Sequence, residues 1–297
     1  MFKNLGKRSL TLLFSVLLFV MPSHGAITYA YYNQQPKISL WSLRKRPLIV
    51  WIHGCRQTER KFVEFSQIVE KTQLLDPLII APEIESGLNP MKCWNFFSKD
   101  MKTREGKFMT IIEEIKKHID SGEVDPERVF VGGFSSGAAF ANHLALCFPD
   151  VFKGALIHSG APFQLSNGFS AASAEKGVHE ALKCAENAGP HKLKTMLYVH
   201  GTLDPILPFF LGKNAFKQSI AYFDYQDDGV RNNSVIENTK TAENETDVTF
   251  SNQVSTHFIE ISGMSHRWSG SKSGSAFSSP NTQSAIDSFL KLTSQLD

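Results

Sequence analysis

Six short apolar runs constrain this chain more than any other feature. "PLIVWIH" (47–53) and "PLIIAP" (77–82) are continuous and rich in β-branched residues. Strands exposed on one face alternate apolar with polar residues, so such unbroken runs predict strands buried on both faces. "RVFVGG", "GALIHSG", "TMLYVHG" and "THFIEISG" follow in order. Between them lie helical periods. Phe108, Ile111, Ile112, Ile115 and Ile119 share one face at helical spacing, as do Phe140, His143, Leu144 and Cys147, and later Ala285, Ile286, Phe289 and Leu290. Strands alternating with helices predict an α/β fold, with a mostly parallel central sheet covered by helices on both faces.

At 297 residues and 42% apolar, the chain is long enough for one large core. Its start reads as a secretory signal peptide over residues 1–25. Lys3, Lys7 and Arg8 form the basic region, residues 10–21 the apolar one, and Ser23-His24-Gly25 the small-x-small cleavage site. The apolar run is too short for a bilayer span, which needs roughly 20 residues. Residues 26–297 are therefore expected to form one secreted catalytic domain, extracellular or periplasmic, with no integral membrane segment after cleavage. Losing the three leader cations takes the formal charge from +2 to about −1. No basic stripe suggests nucleic acid as a partner. The polar stretch 227–247 reads as a surface excursion.

Four cysteines, Cys55, Cys93, Cys147 and Cys184, remain in an exported chain, an even count that favours disulfides with three possible pairings. There is neither a CxxC nor an HExxH motif, so no metal or other cofactor is expected.

The chemistry centres on "VFVGGFSSGAAF" (129–140), where Gly-Phe-Ser-Ser-Gly stands between a strand and a helix. Glycine and serine also make ordinary turns. In this context, however, the motif predicts a sharp strand-to-helix elbow presenting Ser135 as a nucleophile. A serine hydroxyl needs a base to take its proton. Of ten histidines, the others fall in the leader, at strand ends, in helical or linking segments, or inside the last strand. His266 follows that strand in a Gly- and Ser-rich loop. A carboxylate must hold the imidazole in the correct tautomer. Among the aspartates between Ser135 and His266, Asp204 alone directly follows a clear buried strand. The oxyanion of a tetrahedral intermediate needs N–H donors. Ser136 at the helix start and Cys55 after the "PLIVWIH" strand are the candidates.

The blocks "PLIVWIHGCRQT", "NPMKCWNFF", "VDPERVFVGGFSSGAAFANHLALCFPDVF", "HSGAPF", "HGTLDP" and "GMSHRWSG" resemble, in order, those of the poly(3-hydroxybutyrate) depolymerase family of esterases. That family is a branch of the α/β-hydrolases close to feruloyl and acetylxylan esterases. The resemblance implies an α/β-hydrolase fold and ester hydrolysis by Ser135, Asp204 and His266, with Cys55 and Ser136 as oxyanion donors. The family often has Ser-Ala-Gly-Gly at the elbow, where this chain has Ser-Ser-Gly-Ala, and an acidic residue where Thr202 stands.

Cys55 is expected to pair with Cys93, since both flank the proposed site, which leaves Cys147 for Cys184. Trp94, Phe96, Phe97 and Trp268 lie beside these motifs and are expected to line a cleft for an ester substrate, small or polymeric. Short-chain polyester or its oligomers is the leading substrate class. The alternatives are a feruloyl or acetylxylan-type esterase, a serine peptidase of the same fold, and an inactive α/β-hydrolase serving as a binding module.

Overall fold

The computed structural model describes residues 27–33, 45–86, 88–98, 103–106, 109–163, 174–233, 236–242 and 244–296. The expected signal peptide (1–25) and Phe108 lie outside them. In chain order the elements are β1 (Ile27–Tyr32), β2 (Arg46–Ile52), α1 (Glu59–Ser66), α2 (Ile68–Lys71), β3 (Leu78–Ile84) and α3 (Met109–Asp120). Then come β4 (Val124–Phe134), α4 (Ser136–Cys147), β5 (Gly154–His158), α5 (Ala174–Ala185), β6 (Thr195–Gly201) and α6 (Phe209–Asp228). The chain ends through β7 (Ile236–Ala242), β8 (Glu245–Phe250), β9 (Ser255–Ile261), β10 (Trp268–Ser269), β11 (Ser278–Ser279) and α7 (Ala285–Thr293).

One sheet of nine strands runs in the order β1-β3-β2-β4-β5-β6-β9-β8-β7. Its middle, from β3 to β9, is wholly parallel. Antiparallel strands finish both edges: β1 against β3, and the β7–β8 hairpin against β9. The six apolar runs are the six parallel strands. Their side chains point alternately to two cores. Leu48, Val50 and Ile52 of β2 enter the core shared with α3, α4, α5 and α6, whereas Ile49 and Trp51 enter the one under α1, α2 and α7. This is the α/β-hydrolase fold.

Two edge features differ from the sequence reading. The stretch taken as a surface excursion contains β7, whose residues are almost all exposed, and the start of β8. Charged and polar side chains such as Glu237 and Lys240 are what an unpaired edge requires. β1, Ile27–Tyr32, was not singled out in the sequence reading, although its β-branched and aromatic residues suit a strand, and it pairs antiparallel with β3. Helix α4, with all twelve residues buried, packs against β4 and β5 and is bonded to α5 through Cys147–Cys184. Among the described residues, no helix is long and apolar enough to cross a membrane.

Because β2, β4, β6 and β9 are parallel, the loops after them all leave the same edge of the sheet. Those loops contain "HGC", "SSG", "HGTLDP" and "GMSHRWSG". Open parallel sheets bind ligands at this edge.

Candidate active site

The turn at Ser135 links β4 directly to α4. Ser135 has φ 58° and ψ −123°, in the region L-residues rarely adopt. Such a bend forces backbones together. A Cβ on Gly133 would lie 2.6 Å from Gly137 O, and one on Gly137 only 2.3 Å from the carbonyl oxygens of Ile52 and His53. Glycine is therefore required on both sides of the serine. The strain is held by neighbouring strands: Ser135 N–H donates to His158 O at 3.0 Å.

The loops after β6 and β9 are joined to each other. Thr202 N–H donates to Ile261 O and Leu203 N–H to Met264 O, both at 3.1 Å, while Thr202 Oγ1 accepts from Gly263 N–H at 2.9 Å. Thr202 thus ties the two loops together. Across them, His266 Nδ1 lies 2.6 Å from Asp204 Oδ2 and His266 Nε2 lies 2.9 Å from Ser135 Oγ. Three residues separated by up to 131 positions form one hydrogen-bonded chain, and all are at least nine-tenths buried.

Asp204 is fully engaged. Its Oδ1 accepts from Ile206 and Leu207 N–H, each at 2.9 Å, and Oδ2 also lies 3.4 Å from His200 Nε2. Burial by itself would raise the carboxyl. The bonds from His200, His266 and Leu207 N–H outweigh it and hold Asp204 well below the usual carboxylate range. Asp204 is an anion at any pH where the protein would work.

Cys55 and Ser136 are adjacent across this edge: the Ser136 hydroxyl lies 3.3 Å from the Cys55 sulfur, which can only accept because it is bonded to Cys93. The Cys55 loop is further fixed by Arg56 N–H to Met91 O (2.8 Å) and Gly54 N–H to Gln57 Oε1 (2.9 Å). Ser136 is the first residue of α4, and the first four N–H groups of a helix have no partner within it.

The four aromatic residues expected in a cleft separate. Trp94 and Trp268 are fully buried and belong to the cores. Trp94 stacks on Phe140 at 5.0 Å, and Trp268 packs among Trp51, Phe62, Phe134 and His158. This corrects the cleft assignment: large rings next to a motif fill the space under the strained loops. Phe96 is nearly buried against Ala139, Ala161, Leu207 and Leu211. Phe97 is 55% exposed, its ring 5.4 Å from that of Phe96. The sequence reading missed Leu203 and Ile206, 67% and 58% exposed on either side of Asp204. Apolar residues in a loop beside a carboxylate were the available signal. The sequence reading took His158 and His200 as strand-end residues suited to packing or hydrogen bonding, and both are buried beside the chain of three. Among the described residues, no group of three or more His, Cys, Asp or Glu side chains could hold a metal ion.

A family described as Esterase PHB depolymerase matches residues 27–186. Poly(3-hydroxyalkanoate) depolymerase C of Paucimonas lemoignei is 32% identical over 127 residues, 42% of this chain and 30% of that protein. Poly(3-hydroxybutyrate) depolymerase of Ralstonia pickettii is 24% identical over 254 residues, 77% of this chain and 49% of that protein. The chain thus spans less than half the length of these two curated relatives. Among solved structures, acetyl xylan esterase from Aspergillus awamori superposes with a TM-score of 0.63 at 21% identity, covering 81% of this chain and 89% of that one. That likeness extends to the fold. The family match covers more than half of the sequence, and the chain belongs to the PHB depolymerase family of esterases.

Proposed function

We propose that this protein is a secreted serine carboxylic-ester hydrolase that works through an acyl-enzyme. The single observation that carries the reading is the hydrogen-bonded chain from Ser135 Oγ through His266 to Asp204 Oδ2. Ser135 Oγ attacks the ester carbonyl carbon and its proton passes to His266 Nε2. Asp204, bonded to Nδ1–H, keeps Nε2 free as the acceptor and stabilises the imidazolium that forms. The Cys55 and Ser136 N–H groups receive the oxyanion. As the tetrahedral intermediate collapses, the C–O bond to the alcohol breaks and the imidazolium returns the proton to that oxygen. Water then repeats the sequence on the acyl-enzyme, releasing the acid and restoring Ser135.

The names of the relatives and the apolar side chains at Phe97, Leu203 and Ile206 support short-chain polyester or its oligomers as the substrate. A chain of methyl and methylene groups with spaced carbonyls suits an apolar surface with few polar groups beyond the oxyanion donors. Residues 1–25 would direct export, a reading supported by the two disulfides. Residues 26–297 would form one catalytic domain.

The test compares Ser135→Ala with Ser136→Ala on p-nitrophenyl esters and on soluble 3-hydroxybutyrate oligomers. Ser135→Ala is expected to abolish turnover and fluorophosphonate labelling without unfolding. Ser136→Ala is expected to keep much of the activity, because its part is played by the backbone. The reverse pattern would move the nucleophile. Faster release of ferulate or acetate from xylan than of hydroxybutyrate would overturn the substrate class and leave the esterase reading standing.

A further inference from the structure

We propose that His158 is a positioning residue for this reaction, acting as the fixed acceptor that anchors the loop carrying His266 to the strand beside the nucleophile elbow. The proposal rests on the Ser135–His266–Asp204 reading and adds a residue that reading does not use.

His158 ends β5, opposite Phe134 in the register of β4. Its backbone oxygen already receives Ser135 N–H. Its ring is fully buried and reaches the other way, to a residue three positions past His266. Ser269 N–H donates to His158 Nε2 at 3.0 Å, and Ser269 Oγ lies 3.0 Å from the same nitrogen. A backbone N–H can only donate, so Nε2 carries the lone pair and the proton sits on Nδ1, 3.1 Å from Ser159 Oγ as its acceptor. The ring is thus neutral with one defined tautomer. Burial keeps it so by pushing its pKa well below the ordinary histidine value. His200 and His266 push the same way, against the opposing pull of the Asp204 carboxylate.

Packing alone does not account for an imidazole here. The ring stacks on Trp268 at 4.5 Å, which a phenyl ring would do without the cost of burying two nitrogens. What the imidazole adds is an acceptor for Ser269 N–H. The His266 loop has a fixed point on its other side, where Met264 O receives Leu203 N–H from the Asp204 loop. His266 therefore sits between an anchor to the acid and an anchor to the nucleophile strand. One residue, His158, holds Ser135 through its backbone and the base loop through its side chain, so the 2.9 Å between Ser135 Oγ and His266 Nε2 is set from both ends.

The test compares three substitutions on a p-nitrophenyl ester, each with a melting curve. His158→Phe keeps the stack and removes the acceptor; His158→Gln places an amide oxygen near the Nε2 position; His158→Asn reaches only the Nδ1 position. His158→Phe is expected to lower kcat by about 10- to 100-fold, the loss that about 1 Å of misplacement produces, with KM within about threefold. His158→Gln is expected to recover most of that loss and His158→Asn little of it. Wild-type kcat in His158→Phe overturns the proposal, as does a His158→Gln that melts like wild type yet is as slow as His158→Phe. Should His158→Phe not fold, the Gln and Asn pair decides: Asn equal to or faster than Gln, at matched melting temperature, refutes the anchor. A failure of the triad itself would show separately, as an active Ser135→Ala.

Discussion

Asp204→Asn changes one atom, and the structure determines which way the new amide must face. Oδ1 accepts two backbone donors, Ile206 and Leu207 N–H, at 2.9 Å each. Turning the amide nitrogen toward them would set donor against donor at two bonds, so the oxygen of the asparagine keeps that position. The NH2 group then takes the place of Oδ2, 2.6 Å from His266 Nδ1. Facing a donor, Nδ1 must offer its lone pair, and the ring proton moves to Nε2. That proton now points at Ser135 Oγ, where the base should accept, so His266 can no longer take the serine proton. The geometry of the site is otherwise intact and substrate binding is little affected. In the serine proteases the same change costs about 10⁴ in kcat, roughly 5.4 kcal/mol of transition-state stabilisation. We expect a loss of that order here, with KM within about threefold of wild type. Initial rates on a p-nitrophenyl ester measure both, and far-ultraviolet circular dichroism establishes that the variant is folded. A variant retaining more than about a tenth of wild-type kcat would refute the tautomer argument and remove Asp204 from the proposed mechanism.

Two further outcomes follow from burial. Trp268, fully buried among four aromatic rings, should cost about 3–5 kcal/mol when changed to alanine, read as a lower urea midpoint; a raised KM with unchanged stability would return it to a substrate cleft. Burial holds His53 and His158 below the ordinary histidine value of about 6.5, so the unfolded chain binds more protons than the folded one just below that pH. Their contribution is complete above about pH 6.5 and is lost as pH falls toward the folded-state values, so the melting temperature should drop between about pH 7 and pH 5; a flat profile over that window contradicts the assignment of both rings as neutral.

What could be read from the amino-acid order alone was whatever has a local cause. A strand buried on both faces must be continuously apolar, so β2, β3 and the later parallel strands were visible as runs. Parallel strands joined by helices imply a covered sheet. The elbow was visible because Ser135 at φ 58° admits no Cβ on Gly133 or Gly137, and that demand is written in five consecutive residues. Asp204 could be picked out as the aspartate directly after a buried strand, and His266 as the histidine in the Gly- and Ser-rich loop that follows the last parallel strand. Tertiary structure decided everything that depends on a distant partner. β7 is almost wholly exposed and polar, and it is a strand because β8 lies beside it. Trp94 and Trp268 looked like cleft residues from their neighbours in sequence. Yet a large ring goes to whichever space it can fill without water, and here that space lies beneath the loops rather than above them. His158 and His200 could be read only as strand-end histidines suited to packing or hydrogen bonding, since such a position does not say which partner the ring will meet. The bond from Ser269 N–H to His158 exists only because the fold brings residues 111 positions apart onto one edge of one sheet, whereas His200 reaches Leu207 O in the loop after its own strand and meets the chain of three through Asp204.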